Sequence, residues 1–183
     1  MGTSRRRQFP TLVGVAVTGV VVAAVLGGLT NAVNGWVCPV FFLNVWQANW
    51  PYEWSLWRAA VAQGVLEGLL YGVGFALIYT TGVAVLSRGT CRYRPAVRPM
   101  KWIALGAVAG WVLGGFAGLQ LAALRPDVYR SITPTETGVL RDIFADAWVF
   151  GSIWGIELGG LASVIVSLVL FTRQARIRSP FTA

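Results

Sequence analysis

The sequence predicts an all-α integral membrane protein with four transmembrane helices arranged as a tandem parallel repeat of two-helix hairpins, with short interfacial helices in the external loops. Three observations carry this reading. Apolar residues make up 56% of the chain and charged residues 12%, and the apolar ones come in long blocks, not at amphipathic spacing. Glycine keeps a four-residue beat inside those blocks. The beat also recurs 87 positions later without a gap: Gly19, Ala23 and Gly27 precede Gly106, Gly110 and Gly114, and Gly64, Gly68 and Gly72 precede Gly151, Gly155 and Gly159.

A hydrocarbon core of roughly 30 Å takes about 20 helical residues to cross. The first stretch that long runs from Pro10 to Val33. It follows three arginines, as a secretory signal does, but it exceeds the usual signal core of about 7 to 15 residues, and its loss would break the repeat. Asn34-Gly35 predicts its end, with Gly35 as the C-terminal cap. The connection that follows holds Phe41, Phe42, Trp46, Trp50, Tyr52, Trp54 and Trp57. Such rings suit the headgroup region, where one side of a residue is apolar and the other wet. Pro39 is placed to start a short helix lying in that interface.

The second span, Ala59 to Leu86, carries Gly64, Gly68 and Gly72 on one stripe. The third, Trp102 to Leu124, carries the longest ladder, Gly106, Gly110, Gly114 and Gly118. After it, Pro126 and Tyr129 stand where Pro39 and Phe42 stand in the first half. Thr133-Pro134-Thr135-Glu136 has capping-box spacing with proline at the first helical position, so a short helix should lead into the fourth span, Ala145 to Phe171. The whole chain, 1–183, reads as one membrane domain, with hairpin repeats over 9–87 and 96–174.

Seven glycine pairs coincide at the 87-residue offset, against roughly one or two expected by chance in a chain this rich in glycine. A ladder inflates such a count, because one match brings others. The matching Val25-Leu26-Gly27-Gly28 and Val112-Leu113-Gly114-Gly115 blocks are less open to that objection. Each copy holds two spans, so the copies share an orientation and the repeat is parallel, unlike the inverted repeats common in single-chain transporters.

Arginine and lysine accumulate on the cytoplasmic side of a membrane. Arg5, Arg6, Arg7, Arg88, Arg92, Arg94, Arg98, Lys101, Arg173, Arg176 and Arg178 all fall on one side of the four spans, and that side carries no Asp or Glu. The expected location is the cell inner membrane, multi-pass, with both termini cytoplasmic. The net charge of +8 hugs the span ends and is not interleaved with base-stacking aromatics. The partners it predicts are the lipid bilayer and anionic lipid at the cytoplasmic face, not nucleic acid.

Catalytic machinery is not expected. There is no histidine, which excludes histidine-ligated haem, histidine zinc sites and Ser-His or Cys-His catalysis within the chain. Ser87, Thr90, Cys91 and Tyr93 lie among arginines with no base to activate a nucleophile. No Walker, dinucleotide-binding or metal-ligand spacing occurs, so neither a metal nor a cofactor is predicted. Cys38 and Cys91 fall on opposite sides and cannot pair.

Two features remain as candidate functional determinants. The first is the glycines Gly19, Gly27, Gly64, Gly68, Gly72, Gly106, Gly110, Gly114, Gly118, Gly151, Gly155 and Gly159. Glycine every fourth residue lets two helix backbones approach closely, which drives association in a solvent as apolar as leucine. In spacing alone the ladders resemble those of mitochondrial inner-membrane translocase subunits and of some mechanosensitive channels. They serve packing within the monomer, or homo-oligomerisation, or a sliding pore helix.

The second is the set of intramembrane polar residues Glu67, Glu157, Gln63, Asn31, Asn34 and Gln120. Ionisable groups at this depth are costly and normally face protein or water. At 100° per residue Glu67 lies about 100° from the middle of its glycine stripe and Glu157 about 160° from the middle of its own. A fourth span packed through its glycines therefore needs a second covered face for Glu157. Asn31, Asn34 and Gln120, in the outer ends of the first and third spans, predict a polar zone open to the outside.

Two functions fit these features. One is a structural or accessory subunit, assembling through glycine stripes as a homo-oligomer or within a membrane complex. The other is a small channel or proton-coupled carrier in which Glu67 and Glu157 are the protonatable groups.

Overall fold

The computed structural model describes residues 3–87, 91–132 and 140–177, and these are helical, without a strand. Helix α1 spans Thr3–Val37, a 3-10 turn follows at Pro39–Phe42, and α2 spans Leu43–Asn49. Then come α3 (Leu56–Leu86), α4 (Tyr93–Val97), α5 (Met100–Leu124), α6 (Pro126–Ile132) and α7 (Leu140–Ile177). Stretches Phe9–Val37, Leu56–Leu86, Tyr93–Leu124 and Asp142–Arg173 are long and apolar enough to cross a membrane. Their outer faces are apolar: Val17, Val21, Val25 and Leu29 on α1, Leu70 and Leu77 on α3, Leu113 on α5, and Leu158 and Ile165 on α7 are all more than half exposed. Only a hydrocarbon solvent suits such a surface. The chain is a multi-pass membrane protein.

Several boundaries differ from the sequence expectation, each for a local reason. Helix α1 begins at Thr3 and carries Pro10 inside it. The carbonyl that Pro10 leaves unpaired falls at the mouth of the span, near the membrane surface, where water can satisfy it. Gly35 does not cap α1, which runs on to Val37. A Cβ at Gly35 would sit 2.7 Å from that of Ala60, so this glycine is needed for close approach to α3. Helix α3 starts three residues earlier than expected, where the Ser55 side chain accepts the Arg58 N–H as an N-cap. Pro39 and Pro126 each open a short helical element. The capping box Thr133 to Glu136 lies outside the described residues.

The four long helices form two intimate pairs, α1 with α3 and α5 with α7, and each pair touches the other far less. The intimate contacts are backbone on backbone. Gly27 faces the carbonyl of Gly64, Gly68 faces that of Ala23, and Gly72 faces Ala23 and Val20. In the other pair Gly110 faces Gly155 and Gly159, Gly114 faces Gly151 and Gly155, and Gly118 faces Ala147 and Gly151. A Cβ at Gly110 would lie 2.8 Å from the Gly159 Cα, a distance that no side chain can occupy without parting the helices. Gly106 faces Ser163, and Gly19 faces Met100 of the other pair. Gly74 alone among the described glycines has nothing within 4 Å of such a Cβ.

Packed clusters stand at the two ends of the bundle. At the α4 end Val15, Tyr79, Val83, Ala96, Val164 and Phe171 form a buried core. It is pinned by hydrogen bonds from the Tyr79 hydroxyl to the Ala96 carbonyl (2.7 Å) and from the Ser167 hydroxyl to the Pro99 carbonyl (3.1 Å). At the α2 end Cys38, Phe42, Ala60 and Val149 form a second cluster, and Ala122, Tyr129, Ile143 and Ala147 a third beneath α6.

The contrast between Gly110 and Gly74 is testable. Gly110→Leu should part α5 from α7 and cost at least the roughly 1–3 kcal/mol typical of overpacking, lowering the melting temperature in detergent. Gly74→Ala should leave it unchanged or raise it, since it removes a poor helix former into open space.

Candidate intramembrane polar site

Residues four apart on a helix share a face, and on α3 this aligns Gln63, Glu67, Tyr71 and Phe75 beside the stripe Gly64, Gly68, Gly72 that packs on α1. On α1 the same rule sets Asn31 one turn beyond Gly27, with Asn34 next to it. Glycine faces bring the helix axes close enough for these neighbouring polar groups to meet. Between the two helix pairs Asn31, Asn34, Glu67 and Tyr71 border a cavity of about 360 Å³, lined by α1, α3, α5 and α7. Glu67 and Glu157 both line it.

A chain of hydrogen bonds runs along its α2 side. Gln63 Nε2 donates to Glu67 Oε1 at 2.8 Å, and Asn31 Nδ2 donates to Glu67 Oε2 at 3.4 Å. Asn34 Nδ2 donates to Asn31 Oδ1 at 3.3 Å, and the Ser152 hydroxyl reaches Asn34 Oδ1 at 3.1 Å. Glu67 on α3 is thus tied through α1 to α7. Asn31, Asn34 and Ser152 are buried, as groups that satisfy one another in hydrocarbon must be.

Glu157 turns away from the α7 glycine face and lines the cavity that Tyr71 borders from α3. Helix α7 has its second covered face in α3 of the same chain, where Gly160 meets Phe75 and Leu168 meets Gly82.

The six polar residues singled out from the sequence do not all converge. Gln63, Glu67, Asn31 and Asn34 are joined in one network, and Glu157 faces the same cavity. Gln120 is exposed on α5 and borders neither. Nor is the asparagine zone open to the outside. Asn31 and Asn34 are buried, and Asn34 is wholly so. The physical reason is the turn after α1: Phe42, only 2% exposed, folds into the cluster with Cys38 and Val149.

Tyr71, Ser152 and the pair Cys38–Asp146 are the site residues that sequence reasoning missed. Tyr71 had a legible signal, lying one turn from Glu67 on the same face. Ser152 and Asp146 had none, because their partners are over a hundred residues away. Cys38 Sγ donates to Asp146 Oδ1 at 2.9 Å, both buried. Asp146, near the start of the span expected over Ala145 to Phe171, thereby ties α7 to the turn after α1. Burial first, and then this hydrogen bond, push the Cys38 thiol up to about 12.

With Trp111 from α5 bordering the cavity, its edge against the Trp148 ring at 5.6 Å, the site presents two carboxylates and a tyrosine hydroxyl within a largely apolar, aromatic-flanked space. Compared with protein-family models, curated proteins and solved structures, the chain matches none of them.

The Cys38 thiol should resist modification. At about pH 8 a thiol with a pKa near 12 is ionised to roughly one part in ten thousand, so in a Cys91→Ser background a maleimide should label Cys38 only slowly. Asp146→Ala should speed labelling at least about tenfold by removing the acceptor and opening the cluster. Wild-type labelling as fast as that of a free peptide thiol would contradict the contact.

Proposed function

We propose that this chain is a small proton-coupled membrane carrier whose working groups are Glu67 and Glu157. The single observation that carries the reading is that both carboxylates border one cavity, between packed clusters at the α4 and α2 ends. A continuous pore would need a polar path to both surfaces. A site with a packed cluster toward each end of the bundle suits a carrier that opens to one side at a time. An intramembrane carboxylate is costly to insert and is a functional-site hypothesis by default, with proton and ion pathways among its uses. The hydrogen bonds that Gln63 and Asn31 make to Glu67 give its charged form the donors it needs.

In this reading the protein lies in the cell inner membrane with both termini cytoplasmic. The arginines at the α4 end meet anionic lipid there. The two helix pairs are the halves of a tandem parallel repeat, over 9–87 and 96–174, with the short elements after Pro39 and Pro126 lying in the outer interface. The cavity is then the seam between the halves, which is where repeat-built transporters place their sites.

The accessory-subunit reading is second. It relied on glycine stripes free for assembly, and these stripes are occupied within the chain. One observation still favours it: Gly74 opens onto the lipid-facing surface beside exposed Leu70 and Leu77, leaving a shallow notch for a partner helix.

Reconstituted vesicles carrying a trapped pH dye, held under an imposed membrane potential and then under imposed gradients of monovalent inorganic and organic cations, separate the two. Wild-type protein should carry protons faster than empty vesicles, and Glu67→Gln or Glu157→Gln should each cut the rate about tenfold or more without changing the mass of the purified protein. Equal rates in wild type and both variants would sink the carrier reading. A stable oligomer that Glu157→Leu dissociates, with no proton flux in any form, would support assembly instead.

A further inference from the structure

The cavity also specifies what it would carry, an inference that rests on the carrier reading. Its volume, about 360 Å³, falls at the lower end of the range that organic ligands occupy, roughly 300–1,000 Å³. Its walls are overwhelmingly hydrocarbon and aromatic. Tyr71 and Phe75 stand one turn apart along α3 with ring centroids 6.5 Å apart, and Trp111 borders the cavity from α5.

An inorganic cation is a poor fit. Hard cations take about six or more oxygen ligands, and no group of three or more His, Cys, Asp or Glu able to hold a metal is found among the described residues. Glu67 already accepts from Gln63 and Asn31, so its remaining charge acts at longer range. What two carboxylates among rings and aliphatic walls recognise is positive charge spread over an apolar body. Carboxylates attract the charge, ring faces attract it again, and burial of the apolar body is favourable wherever water is displaced.

We propose that the cavity between the helix pairs binds a lipophilic organic cation in exchange for a proton held by Glu67 and Glu157. The exchange balances in charge: one monovalent cation enters as one proton leaves the carboxyl pair, and the reverse step restores it. The charged and titratable groups facing the cavity are Glu67, Tyr71 and Tyr79 from α3, Lys101 from α5 and Glu157 from α7, while α1 offers only Thr18, Thr30, Asn31 and Asn34. Lys101 does not neutralise the site. It lies at the α4 end, while Glu157 is level with Gly110 through the α5–α7 contacts, so about nine residues, or roughly 14 Å of helix, separate them.

The test uses tetraphenylphosphonium, with tetraphenylborate as an isosteric anion, titrated into the full chain in nanodiscs beside protein-free nanodiscs. The phosphonium should bind saturably and release protons into weak buffer, and the borate should not bind above the lipid background. Affinity should be lower at low pH than at high pH, because protons and the phosphonium compete for one site. Glu157→Gln should abolish the proton release, and Glu157→Asp should restore part of it, which a merely misfolded variant would not. Equal binding of both ions, or phosphonium binding that neither Glu67→Gln nor Glu157→Gln weakens, would overturn the proposal. Glutamate-dependent proton flux without phosphonium binding would overturn it too, while leaving the carrier reading intact. Glutamate-dependent binding, with no proton flux even under a phosphonium gradient imposed across reconstituted vesicles, would overturn the exchange and the carrier reading together.

Discussion

The contact on which the rest of this molecule depends is backbone against backbone. Where Gly27 meets Gly64, and Gly110 meets Gly155 and Gly159, the absence of a side chain lets two helices approach until carbonyls touch the facing main chain. In lipid no hydrophobic effect draws helices together, so area of close contact is what holds them. The glycine faces supply that area within each pair. They also decide where everything else goes, because a helix that commits one face to its partner has only its flanks left for other neighbours.

The flanks are where the polar residues lie. Gln63, Glu67 and Tyr71 run beside the α3 glycines, and Asn31 and Asn34 continue the α1 face beyond Gly27. Each would be costly facing lipid. Set against the other pair, they satisfy one another or border the cavity. Small serines and threonines add to this by bonding within their own helix, as Thr80 does to the Ala76 carbonyl at 2.6 Å, which hides a hydroxyl without needing a neighbour. The bundle therefore has tight interfaces inside the pairs and a mostly apolar seam between them into which the few polar groups are gathered.

Much of the architecture was legible in the sequence because membrane spans are written in local composition. The four helices, the positions of Pro39 and Pro126 and the depth of Glu67 and Glu157 all follow from nearby residues. The wheel angle that turned Glu157 away from its glycines also matched its place beside the cavity. What was not legible depends on distant partners. Asn34 reads as a helix end until Ser152 is brought to it, and Asp146 shows no partner until Cys38 is brought to it. Gln120 looks equivalent to the asparagines by depth alone, but its side of α5 faces away from the seam. Gly35 has the composition of a cap, yet the approach of Ala60 gives it a packing role.

The bridges across the seam are few and of two kinds. At the α2 end they are direct, Asn34 to Ser152 and Cys38 to Asp146. At the α4 end they pass through a connector: Tyr79 and Ser167 both bind carbonyls at Ala96 and Pro99, and Thr18 meets the Tyr93 hydroxyl at 2.8 Å. Mechanically this makes the molecule two stiff beams, each unable to bend at its glycines, joined by a strap at one end and by two small latches at the other. A beam pair of this kind has one soft coordinate. With the latches broken, only side-chain packing such as Phe75 on Gly160 and Leu168 on Gly82 would resist a tilt of the beams about the strap.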